Sequence, residues 1–521
     1  MSELGLDLIE GAKVANRDKY GDWYRDPWGW PELDLNFVRE LTVMDLGISK
    51  DGKNFVYRGA PIFQVIDMPK SFLGTRPAVV QDSRSRLAFA SAVNALSAKL
   101  HGDLPDWVFG WRHRGTSLAS NGDEWSRYRS SQSDIGESRR AAQTDLTSFF
   151  ASVDNQKLLR RLREKAGNSA ALSIVTEVLG AHQELSTRSG LPQRSTSSSL
   201  LAQLAVGPID DELESALASG QLIGVRRWMD DISFEGEERV LVDMIARLQA
   251  RGREVGLELN MSKTRILSGP DSAAELALED KKRIEVRRRE SDLHLDYVDD
   301  YSVFLDDTEI DRIESEVLAD PAVSSRTSAG LILRSLRYYE LFDRVEEWSK
   351  AAPYLPHVAD HLSRYLAAAN DDPGVNLLAM FDGDKWFVEQ SVSGWPYLDW
   401  VSAQHALVLP SASLSAGSKG VLRTWLRHSR GLQNLAVSVQ RLAVDEPAAT
   451  RAHIRERIEG GALPLESRLL ALGYLFAGGD HEFAERVLKI HPSNQLIHRY
   501  LQSKNWELPQ VSHDFDPSDG P

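Results

Sequence analysis

The chain has 521 residues, a formal net charge of −15 and no cysteine. Its length predicts two or three domains, and the lack of cysteine excludes disulfides and zinc sites built on thiolates. Neither an N-terminal signal nor a long apolar run is present, which predicts a soluble cytoplasmic protein that does not enter a membrane.

The first informative stretch mixes aromatic and basic side chains. It comprises Trp107, Phe109, Trp111, Arg112, Arg114, Trp125, Arg127, Tyr128 and Arg129. Such a mixture can stack bases and hold backbone phosphates. It is equally compatible with a packed subdomain that has a charged rim. Both interpretations stay open, and we favour nucleic-acid binding.

Two later segments carry aspartates in a pattern that suits metal chemistry. Asp145 follows a short Ala-Ala-Gln-Thr run, and Asp230 and Asp231 form a turn between apolar stretches. Magnesium takes hard oxygen ligands, so two or three carboxylates plus substrate phosphates are enough to hold it. Paired aspartates are also common turn residues, so the segments around them must decide.

The segments between and after these aspartates have a defined order. The run Gly190-Leu191-Pro192-Gln193 opens a turn, and residues 194–199 lead into an apolar stretch at 200–204. After the double aspartate, the sequence predicts an amphipathic helix whose apolar positions are Val240, Leu241, Met244, Ile245 and Leu248. The segment Leu257–Thr264, which reads Leu-Glu-Leu-Asn-Met-Ser-Lys-Thr, comes next.

This order resembles the palm of a reverse transcriptase, with its motifs A, B, C and D in sequence. The resemblance covers roughly residues 50–270. It implies an α+β fold with the fingers and palm of a right-hand polymerase, here followed by an all-α helical repeat domain. We expect an N-terminal extension at residues 1–50, fingers and palm at 51–300, helical repeats at 301–506, and a disordered tail at 507–521.

The resemblance also implies the site. Catalysis would fall to Asp145, Asp230 and Asp231, which with Leu146 would hold two Mg²⁺ ions that Mn²⁺ can replace. The implied substrate contacts are Lys70 and Arg76 over the triphosphate, Phe150 under the sugar, Gln193 and Arg194 in the loop that supports the template, and Lys263.

Phe150 bears on which sugar is used. It stands at the family's steric-gate position after Asp145, and a bulky ring there would clash with a ribose 2′-hydroxyl. The resemblance therefore implies deoxynucleotides. Phe149 and Phe150 also alternate in a way that can place one ring in the core, and the two interpretations are compatible.

The chain departs from the family pattern at two positions. Trp228 replaces the usual Tyr or Phe, and it remains a flat aromatic that can pack against a primer end. Arg194 replaces a usual Gly, which permits close backbone approach. Arg194 can contact a template phosphate, substitute for a template base or point to solvent, and all three options stay open.

Two further features follow the four motifs. A second Tyr-Val-Asp-Asp at Tyr297–Asp300 comes after the Ser-Lys-Thr segment, so we interpret it as a surface segment and not as the catalytic hairpin. Residues 281–289 hold six basic side chains and one Glu285. That cluster is either a local phosphate-binding patch or a solvated helix face.

From about residue 310 the pattern is helical. Apolar stripes begin at Leu331–Phe342 and recur at Val358–Leu366, Tyr397–Leu407, Val421–Leu442 and Leu465–Phe476, with Pro or Gly breaks near 370–374, 410, 447 and 478–480. Such spacing predicts an irregular α-repeat array.

The C-terminal half narrows the resemblance. Residues 301–521 hold 21 basic and 30 acidic residues, whereas group II intron enzymes carry a basic maturase region. No Val-Thr-Gly of the retron type follows Leu267. The chain is thus similar to bacterial abortive-infection and defence-associated (unknown-group) reverse transcriptases.

That resemblance implies antiphage defence and DNA synthesis with or without a conventional template. The implied partners are dNTPs, an RNA template or non-coding RNA, a DNA product, and further copies of the chain in a homo-oligomer. Two alternatives stay open: a catalytically silent RNA-binding scaffold, and a mobile-element reverse transcriptase.

Overall fold

The computed structural model describes residues 3–20, 24, 26–51, 54–115, 117–131, 140–185, 190–268, 271, 307–395, 398–410 and 412–511. Within them, strands occur only before residue 269, and every element from residue 307 onward is helical. This arrangement is compatible with the predicted α+β region followed by an all-α region. No helix in the described ranges combines the length and apolar composition that a membrane crossing requires.

The strands of the described residues are β1 (Ile48–Asp51), β2 (Asn54–Tyr57), β3 (Phe63–Pro69), β4 (Thr75–Gln81), β5 (Val108–Phe109), β6 (His113–Arg114), β7 (Ser117–Leu118), β8 (Arg140–Thr144), β9 (Leu222–Trp228), β10 (Asp231–Gly236) and β11 (Arg265–Ser268). Five of them form the central sheet, in the order β11-β8-β10-β9-β5. Neighbours run antiparallel, except that β5 runs parallel to β9. Strands β3 and β4 form a separate antiparallel hairpin.

The helices of the strand-containing half are α1 (Leu8–Asn16), α2 (Leu35–Val38), α3 (Ser83–Leu100), α4 (Asn121–Ser130), α5 (Phe149–Ser152), α6 (Asn155–Ala166), α7 (Ala170–Gln183), α8 (Thr196–Ala205), α9 (Gly207–Ala218) and α10 (Glu238–Glu254). The carboxylate of Asp82 caps α3 by accepting the Ser85 N–H at 2.9 Å. Helices α1, α7 and α8 pack around α3, which is buried along most of its length.

Helix α10 confirms the amphipathic helix predicted after the double aspartate. It buries Leu241, Met244 and Leu248 on one face, at the spacing of a surface helix that covers a sheet. Helix α8 begins at Thr196, so it includes part of the run that the sequence only predicted to lead into it.

The remaining helices are α11 (Asp307–Ala319), α12 (Arg326–Tyr338), α13 (Val345–Ala351), α14 (Ala359–Asp371), α15 (Pro373–Leu377), α16 (Gly383–Ser393), α17 (Asp399–His405), α18 (Ala416–His428), α19 (Leu432–Asp445), α20 (Pro447–Glu459), α21 (Pro464–Phe476), α22 (His481–Lys489) and α23 (Gln495–Ser503). We refer to residues 307–511 as the helical region.

Short 3-10 turns connect several elements, at Glu3–Gly5, Arg17–Tyr20, Pro31–Leu33, Val43–Leu46, His101–Asp103, Ala352–Tyr354, Pro356–Val358, Ala406–Val408 and Pro492–Asn494.

One predicted apolar stripe of the helical region does not lie on a single helix. Val421–Leu442 is divided between α18 and α19, because the chain breaks at residues 429–431. A Cβ on Gly431 would lie 2.1 Å from the Asp399 carboxylate oxygen, so the chain needs a glycine where α19 starts. The first stripe also outlasts its helix, since α12 ends at Tyr338.

The N-terminal extension packs into the body of the protein. Arg468 of α21 binds Glu32 at 2.8 and 2.9 Å and Asp26 at 2.5 Å, and all three side chains are buried. The Arg468 guanidinium also lies 4.1 Å from the ring centroid of Trp30. The N-terminal segment is therefore joined to the helical region by buried charges.

The predicted disordered tail is wrong for its first residues. Leu508 and Val511 pack in part against the core. Residues 512–521 lie outside the described ranges.

Candidate active site

The β9–β10 hairpin carries two of the predicted catalytic aspartates. Asp231 pairs with Trp228, so Met229 and Asp230 form a two-residue turn. Met229 has φ of 57°, a left-handed conformation that an ordinary side chain adopts at a cost of about 1–2 kcal/mol. Its side chain is buried, which holds the turn in this conformation.

The third aspartate reaches the turn through sheet register. Thr144 of β8 pairs with Ile232 of β10, so Asp145 follows beside Asp231. The side chains of Asp145 and Asp230 lie within hydrogen-bonding reach. Burial, then the nearby Asp231 and Asp145, raise the pKa of Asp230 to about 7. The structure thus brings the three predicted carboxylates together.

The segment at 257–264 closes the other side of Asp145. The Asn260 N–H donates to the Asp145 carbonyl at 2.7 Å, and the hydroxyls of Thr144 and Thr264 are 2.7 Å apart. The Lys263 ammonium donates to the carboxylate of Asp145, which is the main reason that the pKa of Lys263 is raised. Lys263 therefore supplies a positive charge to the carboxylate group.

The donor set suits a hard divalent cation. Oδ1 of Asp145 is buried and has no hydrogen-bond donor, and an unpartnered buried carboxylate oxygen is costly unless a cation meets it. Leu146, the fourth predicted ligand, is fixed by an antiparallel bridge to Leu259. Among the described residues, no three acidic or imidazole side chains converge as a finished metal site.

The Gly-Leu-Pro-Gln loop is fastened to Phe150. A Cβ on Gly190 would lie 2.0 Å from the Phe150 carbonyl oxygen, so only glycine fits. The Leu191 N–H donates to the same carbonyl at 2.7 Å, and the Asn155 side-chain amide donates to the Gly190 carbonyl at 3.1 Å. The Phe149 ring is buried, whereas the Phe150 ring is half-buried and lies 5.4 Å from it.

The next two loop residues face the β3–β4 hairpin. The Gln193 carbonyl accepts from the Val79 N–H at 3.3 Å. Arg194 has φ of 68°, and its Nη2 lies 3.8 Å from the sulfur of Met68. Burial is the main cause that lowers the pKa of Arg194 to about 10. Of the three options for Arg194, pointing to solvent is therefore wrong.

The two predicted triphosphate contacts have different settings. Lys70 is exposed in the hairpin turn, where its N–H donates to the Gly74 carbonyl at 2.7 Å. Arg76 is half-buried, and its pKa is lowered first by burial and then by Arg326, with Asp230 acting in the opposite direction. Arg76 thus lies near the carboxylates.

Much of the aromatic and basic stretch is packed structure, which corrects our preference for nucleic-acid binding there. The guanidinium of Arg112 donates to main-chain carbonyls, including those of Pro105 and Val108 at 2.7 Å. Arg114 binds the buried Glu124 at 2.5 Å. Trp125 and Tyr128 lie 5.1 and 5.8 Å from the ring of Trp228. Trp228 is therefore held by this cluster.

Sequence reasoning missed Arg227, which positions the hairpin. Its side chain is fully buried and binds Asp210 at 2.6 and 2.8 Å, the Gln203 amide oxygen at 2.7 Å and the Met229 carbonyl at 2.8 Å. The available signal was an arginine pair inside a strand of otherwise apolar pattern. Arg226, the second member, binds the buried Glu235 at 2.6 Å.

The second Tyr-Val-Asp-Asp and the basic cluster at 281–289 lie outside the described residues. They are not part of the site as described above.

Comparison with known proteins identifies the domain that holds this site. Residues 75–286 match the family model for reverse transcriptase (RNA-dependent DNA polymerase). No curated protein matches the chain. Polymerases of this family generally use divalent metal ions. The matched segment includes all three aspartates, the Gly-Leu-Pro-Gln loop and Lys263. Residues 75–286 are therefore similar to a reverse transcriptase domain, and the match indicates a nucleotidyltransferase of the RNA-directed DNA polymerase class.

Proposed function

We propose that Asp145, Asp230 and Asp231 bind two Mg²⁺ ions and catalyse the addition of deoxynucleotides to a primer 3′-hydroxyl. The observation that carries the proposal is the sheet register that sets Asp145 beside Asp231 and next to Asp230, with one buried oxygen of Asp145 left without a donor. Bound there, the cations would activate the hydroxyl and neutralise the departing pyrophosphate. In this proposal the central sheet is the palm and the β3–β4 hairpin belongs to the fingers.

The residues around the carboxylates have separate tasks. Lys263 orients Asp145 and adds one positive charge. The hydrogen bonds of Arg227 fix the turn that presents Asp230. Phe150, held through its carbonyl by Leu191, serves as the gate under the sugar and selects deoxyribose.

Two modes of template use follow from this proposal. Synthesis directed by RNA follows the class of the domain. Arg194 supports template-independent synthesis as the alternative, because a side chain fills the space that a glycine would leave open beside Met68. Incorporation measured with and without added RNA, and with single dNTPs, separates the two modes.

The biological setting we propose is bacterial antiphage defence, in the cytoplasm, with homo-oligomeric assembly and α-repeats in the helical region. What supports it is the attachment of a long helical region, acidic in composition, to the reverse transcriptase domain. Phage plating on cells that express wild-type protein or Asp230→Asn tests it. Equal plating on both strains would remove the defence role while leaving the polymerase proposal intact.

The test of the enzyme is primer extension with purified protein. Wild-type protein should incorporate dNTPs in Mg²⁺, and Asp230→Asn should not. Asp243→Asn is a matched control, because Asp243 is exposed on α10 and pairs only at 3.7 Å with Arg247. No incorporation by the wild type under any template condition would favour the silent RNA-binding scaffold.

A further inference from the structure

The β3–β4 hairpin rests on the helical region. The Phe72 ring at its turn lies 5.8 Å from the ring of Tyr354 and 6.0 Å from that of Trp395. The Gln64 amide donates to the Arg430 carbonyl at 2.8 Å. These contacts join the helical region to the hairpin that carries Arg76 on β4, where the charge of Asp230 acts on the Arg76 guanidinium.

A chain of contacts connects three arginines across this junction. Arg76 pairs across the hairpin with Met68, and the sulfur of Met68 contacts the guanidinium of Arg194. The 3-10 turn Pro356–Val358 packs against β3. That turn and helix α14, which follows it, contact the third arginine, Arg326.

Arg326 is the first residue of α12. Its guanidinium binds the carboxylate of Asp360 at 2.8 Å and the carbonyl of His357. Asp360 is almost fully buried, whereas the Arg326 side chain is 26% exposed. The buried partner thus holds a partly accessible guanidinium at the edge of the helical region.

The electrostatics show that the three guanidiniums share one neighbourhood. After burial, Arg326 is the next cause that lowers the pKa of both Arg76 and Arg194. Asp230 opposes the effect at Arg76, and Asp360 opposes it at Arg194. In the proposed function Asp230 is committed to a cation. Three positive groups then lie near one another, with Asp360 acting on Arg194 and Arg326, and like charges so arranged favour an anion.

We propose that Arg76, Arg194 and Arg326 form one binding site for the polyphosphate of a nucleoside triphosphate. The helical region then supplies a substrate-binding residue to the reverse transcriptase domain. The inference rests on the proposed function, because it uses the reaction at Asp230 to place the phosphates. Planar guanidinium forks match phosphate oxygens in pairs, which suits a chain of phosphates better than a single carboxylate.

The experiment compares two substitutions whose effects differ according to whether Arg326 binds phosphate or only supports the fold. Arg326→Gln removes the charge and keeps hydrogen-bond donors for the His357 carbonyl. Asp360→Asn breaks the same ion pair and makes the site more positive. If Arg326 binds phosphate, the first should raise the KM for dNTP by about tenfold or more with little change in kcat. The second should lower the KM or leave it unchanged.

Arg312→Gln is the matched control. Arg312 pairs with Glu316 at 2.7 Å on the exposed face of α11, so its loss removes one charge from the same region without touching the junction. Its KM should equal that of the wild type. Melting temperatures of all variants show whether each has folded.

A second readout does not depend on catalysis. The dissociation constant of inorganic tripolyphosphate, measured by calorimetry, should rise about tenfold in Arg326→Gln and not in Arg312→Gln. Unchanged KM and unchanged tripolyphosphate binding in Arg326→Gln would overturn the inference. An equal KM rise in Asp360→Asn would do the same, because it would show that the ion pair only supports the fold.

The two proposals fail separately. A wild-type protein that incorporates no dNTP contradicts the proposed function, and tripolyphosphate binding still decides whether the arginine site exists. A wild-type protein that incorporates dNTP, with Arg326→Gln unaltered, contradicts only the inference about Arg326.

Discussion

Arg227 and Asp230 lie at the same end of one hairpin, yet their surroundings differ in kind. Arg227 is fully buried, and its donors meet a carboxylate, an amide oxygen and a carbonyl. Asp230 faces two further carboxylates, and its pKa is raised to about 7. The difference indicates that the compensated charge of Arg227 holds the turn in place. The turn in turn keeps carboxylates that repel one another close together.

The largest effect in this comparison is expected when one of the carboxylates that repel each other is neutralised. Asp230→Asn or Asp145→Asn should lower dNTP incorporation by a factor of about 1000. Because Asp230→Asn removes like-charge repulsion, it should not lower the melting temperature. Primer extension and thermal unfolding measure the two effects. Asp299→Asn, in the second Tyr-Val-Asp-Asp, should do little, and an equal loss of activity there would mean that this second motif is the catalytic one.

The converse change removes the balanced group. Arg227→Leu should lower the free energy of unfolding by about 3–5 kcal/mol, because it leaves Asp210 buried without its cation. Urea denaturation measures this loss. Arg253→Ala is the control: Arg253 is 61% exposed and binds Glu258 at 2.9 Å, so its loss should cost less than about 1 kcal/mol. A small effect from Arg227→Leu would show that the hairpin does not depend on this network.

A smaller effect is expected at Phe150, the proposed sugar gate. Phe150→Ala should open space beneath the nucleotide and raise ribonucleotide use relative to deoxynucleotide use by roughly tenfold. The ratio of kcat/KM for rNTP and dNTP measures it. Phe149→Leu, in the buried neighbour, should alter stability without altering that ratio. Equal use of both sugars by the wild type would refute the steric argument.

The smallest effect is expected at His405, a buried histidine, and concerns how stability depends on pH. Burial lowers the pKa of His405 to about 3. The folded protein therefore keeps His405 neutral, whereas the unfolded chain takes up a proton below pH 6.5. Its contribution to stability is complete above pH 6.5 and is lost as the pH falls towards 3. The free energy of unfolding should fall by about 1.4 kcal/mol more in wild type than in His405→Phe between pH 7.5 and 5.5. Parallel pH profiles of the two proteins would contradict this.

Features that depend only on residues close together in the chain could be predicted from the sequence. The order of Asp145, the glycine loop, Asp230 and Lys263 could be read directly, because each motif is a short run. Helix α10 could also be predicted, since its apolar spacing is periodic.

Partners far apart in the chain could not be predicted. The pairing of Arg227 with Asp210, and of Arg326 with the region around Arg76, depends on tertiary packing that no spacing encodes. The aromatic stretch misled for a related reason. Stacking on nucleic acid and packing around Trp228 require the same residue types.

The ion pairs of Arg468 have a consequence for how the chain is made. Asp26 precedes Arg468 by 442 positions, so its buried partner is synthesised only after that long stretch of chain. At about 5–20 residues per second, that interval is on the order of 20–90 seconds. Glu32 precedes the same guanidinium by 436 positions, a similar interval. We expect a nascent chain to expose both carboxylates until α21 leaves the ribosome, so the contact between the N-terminal segment and the helical region forms late in synthesis of this part of the chain.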